Sequence, residues 1–178
     1  MKDSWFRSLS RWLRGCRLRL RRFRPRRQLD RTYQTLSTAS VETLWQTLSN
    51  LADMSWHPLI DSTNAPRGLT ATPGLIYRVF PRWLPIPVNI FVERVSPGEL
   101  LSVRLFPMPG LEERVIYRLE STVLGTQISY SVTLRGWLSP LAWSVLKPFA
   151  ARVASGIAAA AEKAAQKALT PPHPRFEG

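Results

Sequence analysis

Residues 139–169 read SPLAWSVLKPFAARVASGIAAAAEKAAQKAL, which is the longest helical pattern in the chain. Ser139 followed by Pro140 is typical of a helix start, because a hydroxyl caps free N–H groups and the proline ring holds a helical φ. Pro148 predicts a break or kink inside the helix, and Pro171 predicts its end. Apolar residues spaced by three or four positions predict one inward face: Phe149, Val153, Ile157, Ala160, Ala161 and Ala164.

A helix with one apolar face needs an apolar surface to cover, and the preceding sequence predicts a sheet that provides it. Apolar and polar residues alternate with period two in residues 88–93, 101–105, 114–120 and 128–134. Residues 75–80 add another strand, with Tyr77 and Val79 inward. Such alternation is typical of antiparallel strands that have one solvated face and one packed face.

The inward positions of these strands are predicted to carry no carboxylate and no histidine. They are Tyr77, Val79, Ile90, Val92, Leu101, Val103, Leu105, Val115, Tyr117, Leu119, Ile128, Tyr130 and Val132. General acid–base catalysis requires an ionisable group that reaches the substrate. The sequence therefore predicts no catalytic residue.

The domain is predicted to open with a strand, residues 31–37, followed by a helix. Ser40 is a good N-cap residue, and the helix after it carries Val41, Leu44, Trp45, Leu48 and Leu51. Nine of the fifteen prolines lie between Pro58 and Pro109, which indicates short strands interrupted by turns.

This order of elements resembles the START-like (SRPBCC) superfamily, the helix-grip fold of polyketide cyclase/dehydrase-like and lipid-transfer proteins. The resemblance runs from about Tyr33 to Leu169, and Trp45, the Trp56-His57-Pro58 turn, residues 74–80 and the Ser139-Pro140 helix start carry it. It implies an α+β fold in which a curved antiparallel sheet of six to seven strands wraps around the C-terminal helix. It also implies a hydrophobic cavity between sheet and helix that holds a lipid, isoprenoid or polyketide-like ligand.

Combined with the alternation, the resemblance predicts a set of cavity residues: Trp56, Tyr77, Val79, Ile90, Val92, Val103, Leu105, Val115, Tyr117, Leu119, Tyr130, Val132, Phe149, Val153 and Ile157. His57 precedes a proline and is predicted to be a solvated turn residue, with a general base at the cavity mouth as the alternative. Two histidines and the single Cys16 supply no metal site or Cys/His catalytic cluster, and no cofactor is predicted.

The net charge of +13 is concentrated at the N-terminus. Residues 1–31 hold Lys2 and eleven arginines against Asp3 and Asp30, a net +10. A chain of 178 residues suits one domain plus a tail. We expect a basic tail over 1–30, the helix-grip domain over 31–170 and a short C-terminal tail over 171–178. No apolar run reaches the ~20 residues of a membrane-spanning helix.

The tail has an amphipathic helical pattern with aromatic and aliphatic residues on one side and arginines on the other. The residues predicted to bind a membrane are Trp5, Phe6, Arg7, Leu9, Arg11, Trp12, Leu13 and Arg14. This pattern is typical of a helix that lies in an anionic membrane interface. Arginine-rich segments also bind nucleic acid or a protein complex, and they occur in organelle transit peptides; these remain alternatives.

The pattern as a whole favours a non-enzymatic carrier of a hydrophobic small molecule, cytoplasmic and peripherally associated with a membrane. A polyketide cyclase/dehydratase-like enzyme is one alternative, and it requires a polar group deep in the cavity. A structural subunit that uses the arginine-rich tail to bind RNA or a larger complex is the other, and it requires a filled core.

Overall fold

The computed structural model describes residues 28–83 and 86–169, which form seven strands and two helices. The elements in chain order are β1 (Gln28–Ser37), α1 (Val41–Ser49), β2 (Ile60–Thr63), β3 (Ile76–Pro81), β4 (Val88–Ser96), β5 (Leu100–Met108), β6 (Leu111–Thr122), β7 (Gly125–Gly136) and α2 (Ser139–Leu169). The predicted strands and the bounds of the long C-terminal helix are confirmed.

All seven strands belong to one antiparallel sheet in the order β1-β7-β6-β5-β4-β3-β2. The first strand lies beside the last, in continuous register from Gln28 opposite Arg135 to Ser37 opposite Thr126. The chain between them forms a meander of hairpins, as the short spacings between strands require. The sheet is curled and carries the long helix on its inner side, so the helix-grip α+β fold predicted from the sequence is confirmed.

Helix α2 runs as one element from Ser139 to Leu169 with Pro148 inside it. Of the break or kink expected at Pro148, the break into two helices is therefore wrong. Pro148 lies on the exposed side of the helix, where water can bond the carbonyl group that the ring leaves unpaired. At the start of the helix, the Ser139 hydroxyl donates to the Gly136 carbonyl at 2.9 Å.

The inward face of α2 differs from the predicted one by about one residue. Its buried residues beyond the first turn are Ala150, Val153, Ala154, Ile157, Ala158 and Ala161, whereas Phe149 and Ala160 are half-buried and Ala164 is exposed. Small side chains let the helix pack closely against β1 and β7. Glu162 fixes the later turns, since its carboxylate accepts from the Ser37 hydroxyl at 2.8 Å and from the Thr38 N–H at 2.9 Å.

Helix α1 and the segment after it, residues 50–59, cover the other half of the sheet. Ser40 caps the helix as predicted, accepting from the Thr43 N–H at 3.2 Å, and Leu44 and Leu48 are buried. The segment then returns to β2 through a turn in which the His57 N–H donates to the Met54 carbonyl at 2.9 Å. This turn lies over the inner face of the sheet, where the site described next is formed.

The expectations for the basic tail and for residues 171–178 lie outside the described residues. Among the described residues, no helix has both the length and the apolar character needed to cross a bilayer.

Candidate functional site, an apolar cavity

A cavity of about 100 Å³ lies between the inner face of β3–β6 and the segment that follows α1. Its lining is mainly aliphatic and aromatic. The lining residues are Leu48, Leu51, Met54, Trp56, His57, Leu59, Ile60, Tyr77, Val79, Pro81, Trp83, Val88, Ile90, Leu101, Val103, Leu105, Pro107, Glu113, Val115, Tyr117, Tyr130 and Leu146. For comparison, an engineered dry cavity of ~150 Å³ binds benzene, so this cavity is of a size for one ring or a short chain.

The mouth of the cavity is marked by lining residues that water reaches. Trp83 is 48% exposed, and Pro81, Pro107 and Leu146 are partly exposed. Further in, the tyrosine, histidine and glutamate side chains of the lining are all at least nine-tenths buried. The cavity therefore has an apolar entrance and a more polar interior.

Glu113 is the functional-site residue that sequence reasoning missed. It is 8% exposed and lines the cavity, and burial raises the pKa of its carboxyl group to about 7. The expectation of an inward face without carboxylates is therefore wrong. The signal was present, because Glu113 is in phase with the inward residues Val115 and Tyr117 on β6, but the alternation was read from residue 114 onward.

His57 is buried, not solvated as predicted. It is 8% exposed, and burial lowers the pKa of its imidazole to about 4, so the ring is neutral near pH 7. Its Nδ1 accepts from the Leu59 N–H at 3.3 Å, which leaves the proton of the neutral ring on Nε2. The turn around Pro58 packs inward over the sheet, and this long-range packing buries the ring.

A connected aromatic cluster lies at the inner end and consists of Trp56, Tyr117 and Tyr130. The Trp56 ring meets Tyr117 edge to face with 6.1 Å between ring centroids, and Tyr117 lies 5.5 Å from Tyr130. Tyr77 lines the same cavity, and burial raises the pKa values of all three phenols. The Trp56 Nε1 atom is buried without a hydrogen-bond partner among the described residues.

Ion pairs on the opposite face of the sheet contrast with the cavity. Glu93 on β4 forms ion pairs with Arg104 and Arg114 and accepts a hydrogen bond from Nη2 of Arg114 at 3.1 Å. Glu112 lies 3.6 Å from Arg104. The arginines and Glu113 belong to neighbouring positions of β5 and β6, but alternation directs them to different faces. Within the part of the chain that the structure describes, the outer carboxylates Glu93 and Glu112 thus have arginine partners and Glu113 has none.

Nine of the fifteen predicted cavity residues line the cavity, and six do not. The six are Val92, Leu119, Val132, Phe149, Val153 and Ile157. Five of them are packed in the core, and Phe149 is half-buried on α2. The physical reason is that α2 packs directly on β1 and β7, so Leu146 is the part of this helix that reaches the cavity.

Solved structures of low sequence identity share this architecture. A protein from Mesorhizobium loti superposes with a TM-score of 0.61 at 16% identity, over 76% of this chain and 98% of its own. A point mutant of norcoclaurine synthase from Thalictrum flavum, in complex with a transition state analogue, gives 0.58 at 16% identity, over 79% and 98%. StfQ, a di-domain ARO/CYC protein of the steffimycin biosynthetic pathway, gives 0.62 at 12% identity, over 78% and 52%.

These similarities support the helix-grip fold that the sequence pattern predicts. No model of a protein family matches the sequence, and no curated protein matches it.

Proposed function

We propose that this protein binds a hydrophobic small molecule in the cavity beneath the residue 50–59 segment. The observation that carries the proposal is a void lined by aliphatic and aromatic side chains, open at Trp83 and furnished with a few polar groups inside. Pockets for small molecules usually combine these features. The complex of norcoclaurine synthase with a transition state analogue supports the proposal, because it places a small organic molecule on this fold in that protein.

A cavity-filling substitution tests this proposal. Val103→Phe adds a ring to a residue that lines the void, so we expect affinity for a small neutral probe, benzyl alcohol, to fall by about tenfold or more, since the volume for the ligand is lost. The matched control is Val123→Phe, the same change at a fully exposed position of the turn before β7. Binding is measured by ligand-observed NMR, and equal affinity in both variants would contradict the proposal.

We propose in addition that the basic tail tethers the domain to an anionic membrane, which corresponds to a cytoplasmic, peripherally associated location. The tail's amphipathic sequence pattern supports this. Three exposed apolar residues beside the mouth, Trp83, Ile86 and Phe106, also support it, because aromatic side chains are favoured at the interface between lipid and water. A ligand entering there would pass between bilayer and cavity.

Deleting residues 1–27 tests the tether and leaves β1 intact. We expect the fraction bound to vesicles of phosphatidylcholine and phosphatidylserine to fall by about tenfold or more in co-sedimentation, because most of the positive charge is removed. Vesicles of phosphatidylcholine alone serve as the control for charge. Unchanged binding of the truncated protein to the anionic vesicles would rule out the tether.

An enzyme that transfers protons to or from its ligand is a second candidate, favoured by one observation. Glu113 is a buried carboxyl group inside the cavity with a pKa raised to about 7, and general acids and bases work best when their pKa lies near the working pH. Deuterium exchange from solvent into the methyl group of acetophenone measures such activity, and a rate equal to that without protein excludes it for this substrate.

The cavity argues against a structural subunit, because that alternative requires a filled core.

A further inference from the structure

Glu113 is a buried acid without a counter-ion among residues 28–83 and 86–169. Its carboxyl group lines the cavity, and no ion pair or hydrogen bond joins it to another residue of the described ranges. The cavity lining described here contains no lysine or arginine, and His57 is neutral. Burying an ionised carboxylate without a partner is costly. No described residue supplies a positive charge for the ionised carboxylate, so a cation on a bound molecule would be its favourable partner.

Electrostatics within the cavity favour cations and disfavour anions. Trp56, Tyr77, Tyr117 and Tyr130 line the same space, and the faces of aromatic rings attract positive charge. Burial is the main cause of the raised pKa values of Tyr117 and Tyr130. The nearby Glu113 charge is a smaller cause that acts in the same direction. A ligand carboxylate would meet the Glu113 carboxylate with no cation from the described lining to offset the repulsion.

Resting on the ligand-binding function proposed above, we propose that the ligand is an apolar molecule bearing a protonated amine, held by the Glu113 carboxylate within the aromatic cluster. The apolar body then occupies the space towards the mouth, between Val79, Val103 and Pro107. The amine replaces water around the carboxylate with a charge-assisted hydrogen bond, which is stronger than a bond between neutral groups.

Three ring compounds that differ in their head group test this assignment: benzylamine, benzyl alcohol and benzoate. With the full-length protein at about pH 8 and ligand-observed NMR, we expect benzylamine to bind about tenfold more tightly than benzyl alcohol, and benzoate more weakly than both. Glu113→Gln should remove the preference for the amine over the alcohol, because the side chain keeps its shape and loses its charge.

Glu112→Gln is the matched control, since it makes the same change one residue away on the outer face, beside Arg104. It should keep the amine preference. An amine that binds no better than the alcohol overturns the inference while alcohol binding upholds the cavity function. Tightest binding of benzoate, or an amine preference that survives in Glu113→Gln, overturns it too. If none of the three compounds binds, both the proposed ligand-binding function of the cavity and this inference are contradicted.

The pH dependence gives an independent readout. Raising the pH from about 6 to about 8 ionises Glu113 while benzylamine stays protonated, so amine affinity should rise. The other titratable side chains of the lining do not change charge in this window. His57 is already neutral, and Tyr77, Tyr117 and Tyr130 have raised pKa values. A flat profile in the wild-type protein, or an equal rise in Glu113→Gln, contradicts the assignment.

Discussion

Glu113→Gln should stabilise the ligand-free protein by about 3 kcal/mol at about pH 8 and leave its stability unchanged at about pH 4. The carboxyl pKa rises from 4.5 in its ordinary state to about 7 when folded. The folded protein therefore holds its proton more tightly than the unfolded chain, and stability is lost as the pH rises from about 4.5 through 7. A difference of about 2.5 pKa units corresponds to about 3 kcal/mol. Glutamine has no proton to lose, so the variant avoids this loss.

The measurement is urea unfolding of both proteins at several pH values between about 4 and 8, with the difference in free energy of unfolding taken at each pH. His57 has the opposite dependence, because its lowered pKa removes stability as the pH falls from 6.5 through about 4. This contribution is present in both proteins and cancels in the difference. Glu112→Gln controls for a general effect of charge and should give no comparable gain. A Glu113→Gln difference that is constant with pH would show that the carboxyl is not desolvated.

The expected loss of stability bears on function, because it is a cost that a bound cation would offset. Burial of an unpaired carboxyl group is such a cost. An amine ligand would restore the ion pair and recover stability by binding the folded state. The stability measurement tests whether burial of Glu113 costs folding free energy. The ligand measurement tests whether a bound amine offsets that cost, and either result can be negative without the other.

The alternation of apolar and polar residues predicted the inner face of the sheet well because each strand has one solvent-exposed face. Tyr77, Tyr117 and Tyr130 were placed inward from period-two patterns, and all are buried. The same reasoning missed Glu113 because a charged residue at the end of a segment looks like the end of the strand. Glu113 could have been placed inward by extending the alternation of β6 back from Val115 and Tyr117.

Two other differences arise from packing that local patterns do not encode. The face of α2 was estimated from its bulky residues, and Phe149 shifted the estimate. Alanine is small enough to lie on either side of a helix, so Ala150, Ala154 and Ala158 gave a weak signal. The position of His57 depends on how the turn after α1 folds back over the sheet. At this contact a Cβ on Gly156 would lie 2.5 Å from the Trp56 carbonyl oxygen, so helix and turn approach through a glycine.

Gly136→Ala should destabilise the protein by about 3 kcal/mol or more, which lowers the melting temperature by about 10 °C. Gly136 ends β7 with φ +128°, a conformation that residues with a side chain rarely adopt. An added Cβ would also lie 1.9 Å from the carbonyl oxygen of Gly110 in the turn between β5 and β6. That oxygen belongs to the backbone and cannot move without moving the turn, so strain and clash add together.

Gly98→Ala separates these two contributions. Gly98 also has a positive φ, +75°, but the nearest atom to its added Cβ is a Val41 methyl group at 3.8 Å. We expect a loss of about 1 kcal/mol there from conformation alone, measured by the same thermal unfolding. Equal losses of stability in the two variants would mean that the Gly110 backbone moves away from the added Cβ at little cost. A much larger loss at Gly136 would mean that the junction of β7 with the β5–β6 turn is rigid. Pro107 lies two residues before the turn, near the end of β5, so a rigid junction would fix one side of the cavity mouth in place.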